Sequence, residues 1–351
     1  MSHVIEIEGL RKEFDGFALQ NLSLAVEEGT ITGLVGANGA GKSTTLKLIL
    51  NLIRRDAGTI RVFGLDNREH EREIKQQIGV VFDEPCFHEL LTPRQIDGYM
   101  GALYSAWDSR FFRQLLERFS LPEKKVVKEF SRGMKMKLSI AAAMAHHPRL
   151  LLLDEPTSGL DPLVRDEILD LFLEFLQDER HSIVLSSHIT SDLEKIADTI
   201  ALIDRGRLLF HEEKDRLREQ YMLVKGSAAQ LEQIDPNLLA GVRKNEYGFE
   251  ALCKTRRLPA LAGLVTEQSR ILCCLLPEET GAAENDENES KKPFYRAHAE
   301  GLGADGEAAA ASGDLSGADD DRFFLHHGWN SRSQQHVFGA DVHDGDQLLC
   351  L

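Results

Sequence analysis

The sequence predicts an α/β fold in which a parallel sheet alternates with helices. Two observations carry this prediction. Four short, almost uninterrupted apolar runs have the composition of strands buried on both faces of a sheet. Helical patterns separate the runs, and this order favours parallel strands joined by helices. The runs are residues 30–35, 78–82, 150–153 and 182–185.

Shorter β patterns and a helical insertion complete the predicted architecture. Strand patterns near the N-terminus predict an antiparallel β subsheet beside the parallel core sheet, and a mostly helical subdomain is expected over about residues 92–147. The other predicted elements are strands at 4–10, 17–26 and 58–64, a helix at 192–197 and a closing hairpin at 199–210.

A complete phosphate-binding loop, Gly-Ala-Asn-Gly-Ala-Gly-Lys-Ser, occupies residues 36–43 between a predicted strand and a predicted helix. Its glycines allow positive φ angles and a close approach of backbone N–H groups to phosphate oxygens. Lys42 is expected to reach the β- and γ-phosphates, and Ser43 to place its hydroxyl on Mg²⁺. The predicted nucleotide-binding residues of this segment are Gly36, Asn38, Gly39, Ala40, Gly41, Lys42, Ser43 and Thr44.

Two carboxylates and a histidine follow other predicted core strands. Asp154 comes at the end of the run 150–153 and is placed to hold Mg²⁺, through a water molecule. Glu155 is the predicted general base, which polarises the water that attacks the γ-phosphorus. A helix N-cap is the structural alternative for these acids. His188, after the run 182–185, is predicted to donate a hydrogen bond to the γ-phosphate.

The order of five motifs indicates the kind of nucleotide-binding protein. The phosphate loop, Ser131-Arg132-Gly133-Met134, Asp154-Glu155, Ser158-Gly159-Leu160-Asp161 and Ser186-Ser187-His188 follow one another. In this order residues 1–222 resemble the nucleotide-binding domain of ABC transporters, a P-loop NTPase of ABC type. Within that group they resemble the ATPase subunits of ABC-2-type bacterial exporters. The resemblance implies ATP hydrolysis, with ATP and Mg²⁺ as cofactors.

The resemblance also implies a dimer in which two such domains pack head to tail, as a homodimer or as a heterodimer with a related subunit. Ser131 and the N–H group of Gly133 would then contact the γ-phosphate held by the opposite protomer. Asp161 would lie at the dimer centre. Phe14 occupies the place where an aromatic ring stacks on adenine, with core packing as the alternative.

An integral membrane permease is the second implied partner, which would make the protein cytoplasmic and peripheral on the inner face of the cell membrane. The family holds a coupling helix of the permease at the surface that corresponds to residues 85–92. Phe87, Leu90 and Leu91 are candidate contacts, and ordinary burial is the alternative for them. In this family the permease selects the cargo, so this sequence does not identify the transported substrate.

The chain departs from the family pattern at two places. The usual Leu-Ser-Gly-Gly-Gln signature is Phe130-Ser-Arg-Gly-Met134 here, which we call the signature segment; it keeps the hydroxyl and the second glycine. Arg132 adds a positive charge near a polyanion. The usual glutamine after the run 78–82 is Asp83, which we predict to contact the metal or the attacking water, with a solvated loop acid as the alternative.

Other functional classes remain alternatives. A soluble ABC ATPase of translation or cofactor assembly is one, and a low-activity regulatory subunit, which Asp83 favours, is another. A chromosome-maintenance ATPase is disfavoured because no long coiled-coil insertion separates Lys42 from Asp154.

Composition limits the partners. The chain has 351 residues, more than one ordinary domain, and a net charge of −16, so no basic nucleic-acid-binding face is predicted. No run of about 18 apolar residues predicts a membrane span. Five cysteines lack the spacing of a metal site and are expected to be reduced thiols.

The C-terminal third divides into two parts. Residues 223–276 predict a small accessory α+β region, whereas residues 277–351 form an acidic, low-complexity tail that is expected to be disordered. Scattered histidines in the tail are expected to be solvated. Because the composition changes abruptly, we hypothesise that the chain is translated out of frame after about residue 255 to 275.

Overall fold

The structure, a computed structural model, describes residues 2–83, 86–235, 238–261 and 263–267. Its strands are β1 (His3–Phe14), β2 (Phe17–Glu27), β3 (Ile31–Val35), β4 (Ala57–Val62), β5 (Leu65–Asp66), β6 (Ile78–Val81), β7 (Leu150–Asp154), β8 (Ser182–Ser187), β9 (Thr199–Asp204), β10 (Arg207–Glu213), β11 (Tyr221–Gly226), β12 (Leu239–Asn245), β13 (Gly248–Lys254) and β14 (Val265–Glu267). Its α-helices are α1 (Lys42–Ile49), α2 (Glu71–Lys75), α3 (Pro93–Leu103), α4 (Ser109–Arg118), α5 (Arg132–Met144), α6 (Pro162–Phe175), α7 (Thr190–Ile196), α8 (Lys214–Gln220) and α9 (Ala228–Leu231). Short 3-10 helices span Val127–Glu129 and Thr255–Leu261.

A six-stranded sheet with the order β10-β9-β3-β8-β7-β6 forms the core. The four predicted core strands are parallel, which confirms the predicted α/β fold class. The predicted hairpin at 199–210 is also present, but β9 joins the parallel part beside β3, with Thr32 opposite Thr199. All but the last residue of β9 are buried, and such a strand needs neighbours on both sides.

The predicted antiparallel subsheet has the order β2-β1-β4-β5. Its inner face shares one apolar cluster with α1 and the core sheet, in which Ile5, Leu10, Leu46 and Leu152 are almost fully buried. This packing fixes the start of α1, and therefore the loop before it, against two sheets.

The predicted helical subdomain contains α3, α4 and α5. A capping box between Thr92 and Gln95 begins α3, and Ser131 caps α5. The last of these helices packs closely on β6, because a methyl group on Gly79 would lie 2.3 Å from the carbonyl oxygen of Ala143. The subdomain is thus seated on the edge strand of the core sheet.

A third sheet, with the order β12-β13-β11-β14, follows α8. It corresponds to the predicted accessory region, but its first strand begins at Tyr221, which pairs with Lys254. Tyr221 and Leu252 are buried in the same cluster as the core sheet. The domain boundaries and the out-of-frame hypothesis stay predictions, and the tail at 277–351 lies outside the described residues. Within the described ranges, no helix is both long and apolar enough to cross a bilayer.

The contact between Gly79 and α5 yields a stability prediction. Gly79→Ala is expected to lower the unfolding free energy by about 1–3 kcal/mol, because the added methyl group must push α5 away from β6. Gly98→Ala on α3 is the control, since a methyl group there has no neighbour within 4 Å and should stabilise the helix by about 0.5–1 kcal/mol. Urea denaturation measures the unfolding free energy of each variant. Equal values for the two variants would contradict a close contact between Gly79 and α5.

Candidate nucleotide-binding site

The phosphate loop at residues 36–43 connects β3 to α1. Its backbone follows the prediction at Gly39 and Gly41, whose φ angles are +77° and +115°. At Gly36 the φ angle is not positive. A methyl group on Gly36 would lie 2.3 Å from the carbonyl oxygen of Ile203, so glycine is needed there because β9 approaches closely.

The outer side of the loop is open. Asn38 and Gly39 are exposed, and Ala40 is buried beneath them. At the start of α1, the N–H groups of Ser43 and Thr44 belong to the first turn, which has no intrahelical acceptors for them. An anion held in this loop would meet those N–H groups and the positive end of the helix dipole.

The Lys42 side chain is 5 % exposed and lies under the loop. Its Nζ atom donates a hydrogen bond to the carbonyl oxygen of Gly36 at 2.7 Å and lies 3.4 Å from Oε1 of Glu155. A buried ammonium group needs such partners, because its removal from water is costly. Lys42 and Glu155 therefore hold each other at the place where phosphate oxygens are expected.

Asp154 ends β7 and is almost fully buried. Two hydroxyl groups donate to its Oδ1 atom, Ser43 at 3.0 Å and Ser186 at 2.5 Å. The predicted metal ligands Ser43 and Asp154 are thus in direct contact. Both offer the oxygen ligands that Mg²⁺ prefers.

Glu155 has a φ of +51°, a left-handed conformation that residues other than glycine adopt rarely. Its N–H group is held by the carbonyl oxygen of Ser186, at 3.1 Å. Its Oε2 atom accepts from the N–H group of His188 at 3.3 Å and lies 2.7 Å from the His188 Nδ1 atom. Its buried Oε1 atom accepts no hydrogen bond within the described part of the chain. The carboxylate is therefore fixed in place with one oxygen available.

Ser186 is a site residue that was not predicted as one. The parallel register places it opposite Asp154, and its hydroxyl contacts both Oδ1 of Asp154 and, at 3.1 Å, the N–H group of Glu155. The available signal was a fully buried serine at the carboxyl end of an apolar strand. The sequence does not show which neighbouring strand that serine would face.

The predicted signature residues form a second group. Ser131 accepts from the N–H group of Met134 at 3.2 Å and so caps α5, while Asp161 caps α6 by accepting from Val164 at 3.1 Å. Both caps are exposed. A methyl group on Gly133 would have its nearest neighbour 3.7 Å away, so nothing crowds this turn. Their predicted role toward a second protomer stays a prediction.

Asp83 follows β6, and its carboxylate is paired with Arg132, Nη2 to Oδ1 at 2.8 Å. Its predicted contact with a metal or water stays a prediction. The next two positions, 84 and 85, lie outside the described residues.

Phe14 ends β1 and is 41 % exposed, with its ring 6.3 Å from that of Phe17. Lys12 Nζ lies 5.4 Å from the Phe14 ring centroid. A methyl group on Gly41 would lie 2.8 Å from Leu19 Cδ2 and 3.1 Å from Phe17 Cζ, so Phe17 lies beside the phosphate loop. The predicted stacking of Phe14 on adenine stays a prediction.

A buried carboxyl lies on the helix after His188. Asp192 on α7 is 3 % exposed, and burial raises the pKa of its carboxyl. The Arg165 guanidinium of α6, 3.8 Å away, offsets part of that effect. This contact joins the helix that Asp161 caps to the helix that follows His188.

The site fits a magnesium–nucleotide complex in three respects. The loop offers an open cradle of N–H groups, Lys42 supplies a buried positive charge, and Ser43 with Asp154 supplies adjacent oxygen ligands. The buried Oε1 atom of Glu155 forms an ion pair with Lys42 but accepts no hydrogen bond within the described residues, so it can accept one from a water molecule.

Comparison with known proteins agrees with this geometry. The family model described as ABC transporter matches residues 19–158. The ABC transporter ATP-binding protein YtrB of Bacillus subtilis (strain 168) is 34 % identical over 223 residues, which cover 63 % of this chain and 76 % of YtrB. The bacitracin transport ATP-binding protein BcrA of Bacillus licheniformis is 35 % identical, with 63 % and 73 % covered.

A solved structure of an ATP-binding subunit of an ABC transporter superposes with a TM-score of 0.58 at 28 % identity, over 62 % of this chain and 92 % of that chain. The chain therefore belongs to the ABC transporter ATP-binding proteins, and it is an ATP-hydrolysing subunit of that family.

Proposed function

We propose that this ATPase powers an export transporter of ABC-2 type, with Glu155 as its general base. The observation that carries the proposal is the buried contact between Lys42 and Glu155 beside the Asp154–Ser43 pair. Lys42, Glu155 and the Asp154–Ser43 pair thus lie together at one sheet edge, which supports their proposed roles as phosphate-binding cation, base and metal-binding pair. Export rather than import rests on the resemblance of Asp83 and the signature segment to exporter ATPases.

In the proposed reaction, Glu155 accepts a proton from the attacking water through its available oxygen. His188 holds the other oxygen in place from Nδ1, at 2.7 Å. In this proposal the Nε2 atom of the same ring faces the γ-phosphate.

Mg²⁺ would be held by Ser43 and Asp154, and when bound it neutralises part of the phosphate charge. Ser186 keeps the Asp154 carboxylate in one orientation from the side opposite Ser43. Such supporting hydrogen bonds are needed because a mobile ligand binds its metal weakly.

We further propose a head-to-tail dimer of two such subunits, identical or related. The two exposed helix starts support this, since Ser131 and Asp161 lie at the surface and the first turn of α5 is uncrowded at Gly133. A helix start that faces solvent in the free chain is available to an anion bound on another protomer.

An apolar groove supports the proposed membrane partner. It has a volume of about 440 Å³ and lies between the core sheet and the helical subdomain, lined among others by Phe82, Phe87, Leu103 and Tyr104. Leu103 is 43 % exposed at its edge. Of the predicted permease contacts, Phe87 lines this groove, Leu91 packs against the core and Leu90 is 67 % exposed.

His146 forms the polar floor of the groove. Burial lowers the pKa of its imidazole to about 4, so the ring is neutral at pH 7. It stacks on Tyr104 with 4.1 Å between ring centroids, and its Nε2 atom lies 3.0 Å from the carbonyl oxygen of Ile78. An uncharged floor suits the apolar face of an amphipathic helix of a permease. By binding it, the subunit would be held at the inner face of the membrane.

The assignment of Glu155 predicts the behaviour of Glu155→Gln. We expect ATP turnover to fall by about 100-fold or more, because an amide cannot accept the proton of water. The ATP-bound dimer should then accumulate. Steady-state phosphate release and light scattering measure the two effects, with Glu174→Gln, an exposed acid on α6, as the control. Normal turnover by Glu155→Gln would show that the base lies elsewhere.

The Ser186 hydrogen bonds predict that removing this hydroxyl group slows turnover, whereas removing an equally buried hydroxyl group elsewhere in β8 does not. Ser186→Ala should lower kcat by about tenfold or more, because Asp154 and Glu155 both lose a fixed partner. Ser182→Ala is the matched control: Ser182 is equally buried in β8 and bonds Gly29 at the far end of the strand. Equal kcat values for the two variants would show that Ser186 does not contribute to the site.

The groove predicts which surface binds the membrane partner. We expect the Glu155→Gln chain, with ATP and Mg²⁺, to recover a polytopic membrane protein from detergent-solubilised membranes of its own cell. Adding Leu103→Glu should abolish recovery, whereas Leu173→Glu, 42 % exposed on α6, should not. Mass spectrometry identifies the partner. Recovery of soluble partners alone would favour a soluble ABC ATPase instead.

A further inference from the structure

The two departures from the family pattern, Asp83 and Arg132, contact each other although 49 positions separate them. Asp83 follows β6, and Arg132 is the first residue of α5. Both side chains are about half exposed. A positive charge in the first turn of a helix is disfavoured by the helix dipole, so Arg132 benefits from a carboxylate partner.

Arg132 also lies against the segment that follows Glu155. A methyl group on Gly159 would lie 2.8 Å from its Nη1 atom and 3.1 Å from its Cζ atom. Gly159 has a φ of +67°, so its conformation and the space beside it both favour glycine. The guanidinium therefore connects three segments: the end of β6, the start of α5 and the turn between β7 and α6.

The charges at this sheet edge are compensated one by one. The last pair of the β6–β7 register is Val81 with Leu153, and Asp83 and Glu155 each come two residues after that pair. Three carboxylates thus follow one another at adjacent strand ends. Asp154 is bonded by hydroxyl groups, Glu155 is paired with Lys42, and Asp83 is paired with Arg132. Without Arg132, the charge of Asp83 would repel a bound phosphate.

We infer that Asp83 and Arg132 form one positioning pair, which fixes the start of the signature helix α5 against the catalytic edge of its own chain. Asp83 then acts through Arg132 rather than on the metal. The effect of the pair on turnover rests on the proposed function, in which the signature segment acts on nucleotide held by a second protomer.

Hydrogen exchange of the nucleotide-free, full-length chain tests the pair without any reaction. The amides of Met134 and Lys135, both bonded to Ser131, report on the start of α5. Asp83→Ala and Arg132→Ala should each speed their exchange by about 2- to 5-fold, the range of an exposed ion pair. The double variant should be no faster than either single one. The control is Glu129→Gln, which breaks the neighbouring ion pair with Lys125. It should leave the hydrogen exchange of the Met134 and Lys135 amides unchanged.

A charge exchange separates the pair from other roles of the two residues. Asp83→Arg combined with Arg132→Asp restores a pair of opposite charges. In this double variant the hydrogen-exchange rate of the Met134 and Lys135 amides should return to within about 2-fold of the wild-type rate. The proposal would be overturned if the effects of the two alanine variants on hydrogen exchange were additive, or if neither variant had an effect. It would also be overturned if the charge-swapped double variant kept its melting temperature but did not recover the wild-type rate of hydrogen exchange. If that variant unfolds, the alanine cycle alone decides.

Kinetics distinguish a positioning pair from a metal ligand. For Asp83→Asn and Arg132→Gln we expect a lower kcat with an unchanged KM for ATP and an unchanged Mg²⁺ requirement. A raised Mg²⁺ requirement in Asp83→Asn alone would assign Asp83 to the metal and overturn the pair. If the wild-type chain hydrolysed no ATP while the exchange results held, the proposed function would fail and the pair would stand.

Discussion

The site depends on the buried ammonium group of Lys42. A cation at 5 % exposure is stable only where partners replace water, and the fold supplies them from two directions. The carbonyl oxygen of Gly36 accepts from one side, and the carboxylate of Glu155 lies on the other. The closeness of Gly36 to Ile203 ties this arrangement to the core sheet, because no side chain fits between them. A phosphate that enters the loop meets a cation already in position.

The same constraint explains the unusual backbone at Glu155. Its left-handed φ turns the chain sharply after β7, so that the carboxylate faces Lys42 and His188 instead of continuing along the strand. Such a conformation persists only where the surroundings hold it. Ser186 does so through its carbonyl oxygen and its hydroxyl. The neighbouring strand β8 is thus part of the site even though its serine need not touch the nucleotide.

Local patterns predicted the parts that depend on local chemistry. Apolar runs predicted the core strands, and glycine spacing with Lys42 and Ser43 predicted the loop. Contacts between distant segments were not predictable in this way. The entry of β9 into the parallel sheet, the bond from Ser186 to Asp154 and the pairing of Asp83 with Arg132 each depend on which segments become neighbours. The two-residue strand β5 is too short to give a pattern. At Gly36 the sequence alone does not show whether glycine serves a positive φ or close packing, and the structure shows close packing against Ile203.

In the nucleotide-free site Lys42 is held by Glu155 until phosphate replaces that carboxylate. Calorimetric titration with a non-hydrolysable ATP analogue and Mg²⁺ tests this directly, since slow turnover cannot affect the result. The affinity of Glu155→Gln should exceed that of the wild-type chain by about 3- to 10-fold, because the analogue no longer competes with a carboxylate for Lys42. Equal or weaker binding by Glu155→Gln would contradict the account.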